Sequence, residues 1–331
     1  MRLAAIIFLS LCLLLAAGPA QAVPMADFAE ILGSEAPRDS FTLYRWEQHP
    51  DVYVIHFDSY LYQSRALSRM ALFQEMAESR GRIMSQVELE AWFSDQGVTL
   101  EGLFGAHDYD TQDMARFFSE LQKSGQEWYP EELELFNGLL ELGLLDYTLC
   151  YCDPGLGFHQ HELYHATGEQ AVISFASRLA LRESRHGMQG RTDRSYERGA
   201  LYHEMLHGIF FTEPEYEQRC REFWQQQLSA DERRAFSTLL ASLNYDPAFE
   251  TLMINEFQAY LLTPPAPASG SRILLERGQR LLKPDFLPEY VNEDDKEHFL
   301  EHGKDLLERI RGSMRDELRA WVGNEYLIDG E

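Results

Sequence analysis

The chain contains the pattern His-Glu-x-x-His twice, at residues 203–207 and at residues 161–165. On an α-helix the two histidines of this pattern lie one turn apart on the same face, where both imidazoles can bind one Zn²⁺ ion at about 2.0 to 2.1 Å. The glutamate between them can then act as a general base toward a water whose pKa the ion lowers. The pattern therefore predicts metal-assisted hydrolysis, provided that its backbone is helical.

The first pattern lies in a segment with helical periodicity. Apolar residues recur there at three- and four-residue spacing and would face the core: Leu201, Met205, Leu206 and Ile209. His203, Glu204 and His207 would then line a cleft. We therefore expect His203 and His207 to bind zinc and Glu204 to act as the general base.

The surroundings of the second pattern favour a strand instead. Glycines precede it at 155 and 157, the turn signal Thr167-Gly168 follows it, and the flanking residues alternate in polarity. Residues four apart on a strand are separated by about 13 Å, too far to share one metal ion. We therefore expect His161 and His165 to lie on a strand and not to bind the catalytic metal.

A catalytic zinc needs a third protein ligand, and two glutamates are candidates. Glu213 follows His207 by six residues, but the intervening turn would need a positive φ at Phe210, at a cost of about 1 to 3 kcal/mol. Glu256 lies on a separate predicted helix, where the small Ala259 would allow a close approach to the motif helix. The sequence favours Glu256 over Glu213.

The first pattern, followed by Asn255-Glu256-x-x-Ala259, resembles the gluzincins, metallopeptidases in which a helix-borne glutamate completes a His₂Glu zinc site. The resemblance implies a zincin-like α+β fold: a small mixed sheet with a backing helix and an active-site helix, followed by a mainly helical C-terminal lobe. The Asp that often follows the third ligand by four residues in this group is replaced here by Tyr260.

The resemblance also implies a Tyr or His that stabilises the oxyanion. Tyr260, one helical turn after Glu256, is the candidate, although packing against the motif helix would explain it as well. His298 and His302 are alternatives on the predicted C-terminal helix. Both the oxyanion role and the packing role of Tyr260 stay open at this point.

Periodicity predicts the elements that must position these residues. A β-hairpin is expected over 41–46 and 52–57, with a turn between, and a backing helix over 61–79. Residues 85–145 are expected to be wholly helical, with Asp110 as the N-cap candidate of one of these helices. Strands at 158–164 and 170–177 would then resume the sheet, and the second would be either a core strand or the edge strand on which an extended peptide docks. The last elements are predicted helices: 196–211, 230–243 after the capping box Ser229–Glu232, 247–262 capped by Asp246, and 294–322.

These elements suggest a division of the chain into four parts. Residues 1–22 combine Arg2, an apolar run and Ala20-Gln21-Ala22, which is typical of a secretory signal peptide rather than a membrane anchor. The strands and backing helix occupy 23–84, a helical insertion or subdomain 85–149, and the zincin core with its C-terminal lobe 150–331. We expect an exported protein, periplasmic or extracellular, whose mature chain does not insert into a membrane.

The composition of the chain limits which partners it can bind. The chain has 331 residues, 45% of them hydrophobic, and 54 acidic against 29 basic residues, giving a formal charge of −25. This charge argues against nucleic acid as a partner. Three cysteines follow the signal peptide, and a disulfide from Cys150 or Cys152 to Cys220 is an expectation that competes with three free thiols.

The sequence thus predicts an exported zinc metallopeptidase that hydrolyses peptide or protein substrates, and more specifically an endopeptidase, because no motif for capturing a free chain terminus is visible. A non-catalytic exported binding or assembly protein on the same scaffold is the alternative. The intact Glu204 speaks against that alternative, since a structural zinc site does not use a general base.

Overall fold

A computed structural model of the chain describes residues 22–95, 97, 99–100, 105–152, 159–177, 194–241, 243, 245–263 and 307–322. The predicted signal peptide, except Ala22, lies outside these residues, as do His298 and His302. Within the described ranges, no helix combines the length and the apolar character that a membrane span requires.

Strands and helices are mixed in the described chain up to β7, and the elements described after β7 are helices. The strands are β1 (Met25–Ala26), β2 (Phe41–Trp46), β3 (His49–Phe57), β4 (Ala106–Asp110), β5 (Leu145–Cys152), β6 (His159–Ala166) and β7 (Ala171–Ala176). The helices are α1 (Phe28–Gly33), α2 (Tyr60–Gln74), α3 (Gln86–Asp95), α4 (Thr111–Ser124), α5 (Pro130–Glu141), α6 (Arg194–Thr212), α7 (Pro214–Glu222), α8 (Ala230–Ala241), α9 (Glu250–Leu262) and α10 (307–317). A π-helical turn, Phe223–Gln227, follows α7.

The main sheet has five strands among the described residues, in the order β1-β2-β3-β7-β4. The predicted hairpin is confirmed as β2 and β3, although its turn is shorter than expected because β3 already begins at His49. Strand β7 runs parallel to β3, and β4 pairs with β7 in the antiparallel direction. The fold is therefore mixed α+β with a small mixed sheet.

Helices cover both faces of this sheet, and alternate residues of its strands pack against one side or the other. On one face, Val54 and Ile173 belong to the buried cluster that includes α6 and α9. On the other face, Phe57 and Val172 pack in a second buried cluster with α2, α4 and α5. Strands β3 and β7 are therefore buried on both faces, and the motif helix α6 covers one of these faces.

The prediction that residues 85–145 are wholly helical is wrong. Strand β4 interrupts the helices and joins the main sheet, and β5 begins at Leu145. In β4 the alternate residues His107 and Tyr109 are buried while Asp108 between them is partly exposed. This alternation over five residues is a strand signal, but the long helical patterns on either side obscured it.

The strands predicted at 158–164 and 170–177 belong to two different sheets. Strand β6 pairs with β5 in a separate two-stranded ribbon, so only β7 returns to the main sheet. Because β7 lies between β3 and β4, it is a core strand, and the outer strand on this side is β4. The edge-strand interpretation of residues 170–177 is therefore wrong.

Helix starts and ends were predicted with mixed success. The Asp110 side chain accepts a hydrogen bond from the Asp113 amide at 2.6 Å, and Ser229 and Glu232 form the predicted capping box. Asp246 does not cap α9, which begins only at Glu250; it accepts from the Ala248 amide at 3.0 Å in the preceding turn. Helix α7 was not predicted, because its mean hydropathy is low.

The expected disulfide to Cys220 is also wrong. Cys220 is a free thiol that is fully buried in the core cluster around α6, α7 and α9. Burial strongly raises the pKa of this thiol. It is therefore packed as a small apolar side chain rather than exposed for bridging.

Candidate metal centre

The motif helix α6 lies directly on the sheet. Its apolar face is buried as predicted, by Leu201, Met205, Leu206 and Ile209, each no more than 2% exposed. Gly208 makes the close approach possible, because a Cβ atom there would lie only 2.7 Å from Cγ1 of Val52 on β3. The face carrying His203, Glu204 and His207 is thereby held toward β4 and α9.

Helix α9 brings Glu256 to the two motif histidines. The Nε2 atoms of His203 and His207 are 3.1 Å apart, and Oε2 of Glu256 lies 3.8 Å from each of them. Two ligands of a tetrahedral zinc ion, each bonded at about 2.0 to 2.1 Å, lie about 3.3 Å from each other. The three atoms therefore have nearly the separations that a shared zinc ion requires.

The chemistry of these donors also fits a cation. Glu256 is 2% exposed and His207 1%, and Oε2 of Glu256 accepts no hydrogen bond from any described residue. A buried carboxylate oxygen without a hydrogen-bond partner is costly unless a cation binds it. The set His203, His207 and Glu256 thus meets both the geometric and the chemical condition for a His₂Glu site.

His203 is oriented by the C-terminal end of α9. Its Nδ1 atom lies 3.2 Å from Oγ1 of Thr263, and the ring also hydrogen-bonds to the backbone of Ala259. Thr263 in turn donates to the Ala259 carbonyl at 2.6 Å. With Nδ1 engaged in this way, Nε2 is left to face the site, which is the usual arrangement of a metal-binding histidine.

Glu213, the other candidate for the third ligand, lies elsewhere. It immediately precedes α7, its side chain is 42% exposed, and its Oε1 atom is 3.3 Å from Nδ1 of His49. It belongs to neither group of metal-ligand candidates that the described residues form.

The second His-Glu-x-x-His pattern is on a strand, as predicted. Residues 161–165 lie within β6, and His165 is exposed. The pairing of β6 with β5 keeps this pattern in the two-stranded ribbon, outside the main sheet that carries α6.

Sequence reasoning missed Asp108, which β4 places beside the motif. Its Oδ2 atom is 3.5 Å from Nδ1 of His207, and Asp108, Glu204 and His207 form a second group whose ligand atoms lie within 4.8 Å of one another. The carboxylate faces the ring nitrogen that does not face Glu256. The alternation of residues 106–110 predicts the strand. It does not predict that Asp108 contacts His207 on α6.

Two further residues missed from the sequence surround Glu256. Glu75 follows the end of α2. The next residue, Met76, forms an isolated β-bridge with Tyr245. Tyr245 hydrogen-bonds to Glu256, and this contact opposes the rise in the carboxyl pKa that burial causes. Neither residue has a local sequence signal.

Several carboxyl groups share this buried space. Burial, with the nearby carboxylates of Asp108, Glu256 and Glu75, holds the pKa of Glu204 well above its usual range. Burial raises the pKa of Glu256 to about 8 and lowers the pKa of His203 to about 4. The histidine is thus neutral near pH 7, as metal binding requires, and a divalent cation would offset the mutual repulsion of the acids.

Tyr260 lies against the motif. Its ring is inclined to that of His203 with centroids 4.6 Å apart, and its hydroxyl is 3.4 Å from the Tyr245 hydroxyl. The packing role against the motif helix is therefore observed. Its hydroxyl also lies in the neighbourhood of Glu256, since Tyr245 contacts both.

A cavity of about 230 Å³ opens beside the site and is lined by Asp108 and Glu256. Its other lining residues are acidic, polar or apolar: Gln74, Glu75, Tyr109, Asp110, Asp113, Phe210, Phe211, Glu217, Phe249, Thr251, Leu252 and Asn255. No Lys or Arg occurs among these described lining residues. The cavity is thus acidic and partly aromatic.

Comparison of the chain with known protein families, with curated proteins and with solved structures finds no match. Function is therefore inferred from the residues of the site and from their geometry.

Proposed function

We propose that the protein is an exported zinc-dependent peptidase of the gluzincin type. The observation that carries this proposal is the convergence of His203, His207 and Glu256 on one point, with Glu204 buried beside them on the same helix. Zinc held by the first three residues would polarise the scissile carbonyl and lower the pKa of the attacking water. Arg2, the apolar run that follows it and the sequence Ala20-Gln21-Ala22 support the export, to the periplasm or the extracellular space.

Glu204 would act as the general base of this reaction. It takes a proton from the attacking water and then donates it to the leaving amine. Burial and the neighbouring carboxylates raise the pKa of Glu204, which makes its carboxylate a stronger proton acceptor than an exposed one. Asp108 would keep the imidazole of His207 in place by facing its Nδ1 atom.

Tyr260 would stabilise the negative charge that develops on the carbonyl oxygen. This role is supported by its position against His203 and near Tyr245, from which its hydroxyl could donate to an oxygen in the site. The role is compatible with the observed packing of the ring, because packing uses the ring face and donation uses the hydroxyl.

Endopeptidase activity is the more specific proposal. A carboxypeptidase needs a cationic group for the terminal carboxylate of its substrate, and the described lining of the cavity holds no Lys or Arg. Cleavage of internally quenched peptides that are blocked at both ends tests this point, since an exopeptidase would leave them intact.

The substitution Glu204→Gln tests the proposed function. It should lower peptide hydrolysis by about 10² to 10⁴-fold, because it removes the general base, yet leave bound zinc unchanged. Glu162→Gln, at the equivalent position of the second pattern, is the matched control and should change hydrolysis by less than about twofold.

Two outcomes would overturn the proposal. If zinc and hydrolysis are lost together in Glu204→Gln, Glu204 binds the metal and has been given the wrong role. If the zinc-loaded parent cleaves no member of a broad peptide library, the protein is not a peptidase, and the non-catalytic binding protein becomes the better account.

A further inference from the structure

The ribbon of β5 and β6 brings together four residues that the proposed peptidase site does not use. In its antiparallel register Cys150 pairs with His161 and Cys152 pairs with His159. Residues two apart on a strand share a face, and directly paired residues share it too. The two cysteines and two histidines therefore occupy neighbouring positions on one face of the ribbon.

Four further residues of the ribbon lie on the same face by register. Asp146 and Thr148 of β5 and Leu163 and His165 of β6 occupy the same face nearer the base of the ribbon, and all four are exposed. Tyr164, on the opposite face, is only 6% exposed and packs in the cluster around α2, α4 and α5. By register, the four Cys and His positions lie on the same face of the ribbon as these four exposed residues.

Two thiolates and two imidazoles are the donor set of many structural zinc sites. Cross-strand neighbours have Cβ atoms about 5 Å apart, and alternate residues of one strand are about 7 Å apart. The four Cβ positions thus form a rectangle of about 5 by 7 Å. A Cys or His side chain together with a zinc bond of about 2.3 Å to sulfur or 2.0 to 2.1 Å to nitrogen is long enough to reach a common ion from the corners of such a rectangle. Two cysteines separated by one residue on a strand are, in contrast, poorly placed for a disulfide to each other.

We propose that Cys150, Cys152, His159 and His161 form a second metal site, which binds a thiophilic divalent ion such as Zn²⁺ and fixes the end of the β5–β6 ribbon. A closed set of four protein ligands leaves no position for a substrate, so this site is structural. The inference is independent of the proposed peptidase function, because it uses none of the residues of that site. It also gives the strand-borne His161 a role that helical spacing would not have suggested.

Cobalt substitution of the full mature chain, reduced before loading, tests this site. Thiolate bonded to Co²⁺ gives an intense charge-transfer absorption in the near ultraviolet, whereas a His₂Glu site contains no sulfur and gives none. We expect this band in the parent protein and its loss in Cys150→Ser/Cys152→Ser. His159→Ala/His161→Ala should weaken cobalt binding at this site by at least about tenfold, as expected for the loss of ligands.

Three control variants separate this site from its alternatives. Cys220→Ala removes the buried third thiol, His165→Ala removes an exposed histidine on the same face, and His203→Ala/His207→Ala destroys the proposed catalytic site. All three should keep the band. Retention of the band in the last variant would support the second site even if no peptidase activity is ever found.

Zinc protection of the thiols tests the proposal without any substitution. Zinc should slow the alkylation of Cys150 and Cys152 in the folded parent protein, as read by peptide mass spectrometry. The proposal is overturned if the cobalt-loaded parent lacks the thiolate band, if Cys220→Ala alone removes it, or if zinc leaves the alkylation of Cys150 and Cys152 unchanged.

Discussion

Residues 203–207 on α6 and residues 161–165 on β6 share one residue pattern but differ in the period of their backbone. On α6 the Nε2 atoms of the two histidines are 3.1 Å apart, and Glu256 of α9 faces both. On β6 the same spacing separates the histidine positions by about 13 Å, as in any extended strand. The pattern can therefore form a single metal site only where a helical turn brings its histidines together.

The surroundings of the two segments differ as much as their backbones do. His207 is 1% exposed and faces Asp108, while His165 is exposed and lies opposite Asp146 in the ribbon. Each histidine thus has an aspartate as a neighbour, through a side-chain contact at His207 and through strand register at His165. The side chains of His207 and Asp108 are only 1% and 12% exposed, so water screens their electrostatic interaction less than it would on the exposed ribbon.

Removal of the proposed third ligand should have the largest effect on zinc binding at the α6 site. Glu256→Ala should weaken zinc binding at the α6 site by more than about a hundredfold, above the effect expected for a residue outside the ligand set. Glu213→Ala, which changes a glutamate bound to His49, should have no effect. Chelator competition on both variants measures this, and a loss confined to Glu213→Ala would exclude a gluzincin-type site.

The aspartate beside His207 should have the next largest effect. Asp108→Asn keeps the size of the side chain but removes its charge, so zinc affinity should fall about tenfold to a hundredfold. Asp146→Asn makes the same change opposite His165 and should leave zinc affinity at the α6 site as it is. Equal effects of the two substitutions in chelator competition would mean that Asp108 acts only through the net charge of the protein.

The close contact of α6 with the sheet can be broken at Gly208. A Cβ atom there would overlap Val52, so Gly208→Ala should lower the free energy of unfolding by about 1 to 3 kcal/mol. Gly138→Ala in α5 is the control, since its Cβ would meet only Phe41 at 3.8 Å; it should raise this free energy by about 0.5 to 1 kcal/mol. Urea unfolding compares the two, and equal effects would show that α6 can move away from β3.

The smallest effect is expected when the two histidines on β6 are replaced. His161→Ala/His165→Ala should change peptide hydrolysis by less than about twofold, because neither residue lies in the α6 site. Steady-state kinetics of this double variant, beside those of His203→Ala/His207→Ala, measures the contrast directly. Loss of activity in the former and survival in the latter would show that the catalytic motif was assigned to the wrong segment.

Local patterns predicted much of the fold from the sequence. The hairpin, the apolar face of α6 and the caps of α4 and α8 follow from periodicity and from side-chain hydrogen bonds within a few residues. Strand β4 was missed, because five residues of alternation are a weak signal between long helices. Strand β5 was also missed, and the low hydropathy of α7 hid that helix.

Of the candidate site, the residues adjacent in sequence could be predicted and the distant ones mostly could not. His203, Glu204 and His207 are marked by their spacing, and Glu256 by its helix and by the small Ala259. Asp108, Glu75 and Tyr245 reach the site only through the pairing of β4 and the packing of α2 against the turn before α9. Such long-range placement leaves no mark in a local window.

Anomalous diffraction at the zinc edge, from crystals of the mature protein grown with zinc, tests the central claim most directly. We predict a peak about 2.0 to 2.1 Å from Nε2 of His203, Nε2 of His207 and a carboxylate oxygen of Glu256. Full zinc occupancy elsewhere with no density between these three residues would contradict the account, and with it the proposal that this chain is a zinc peptidase.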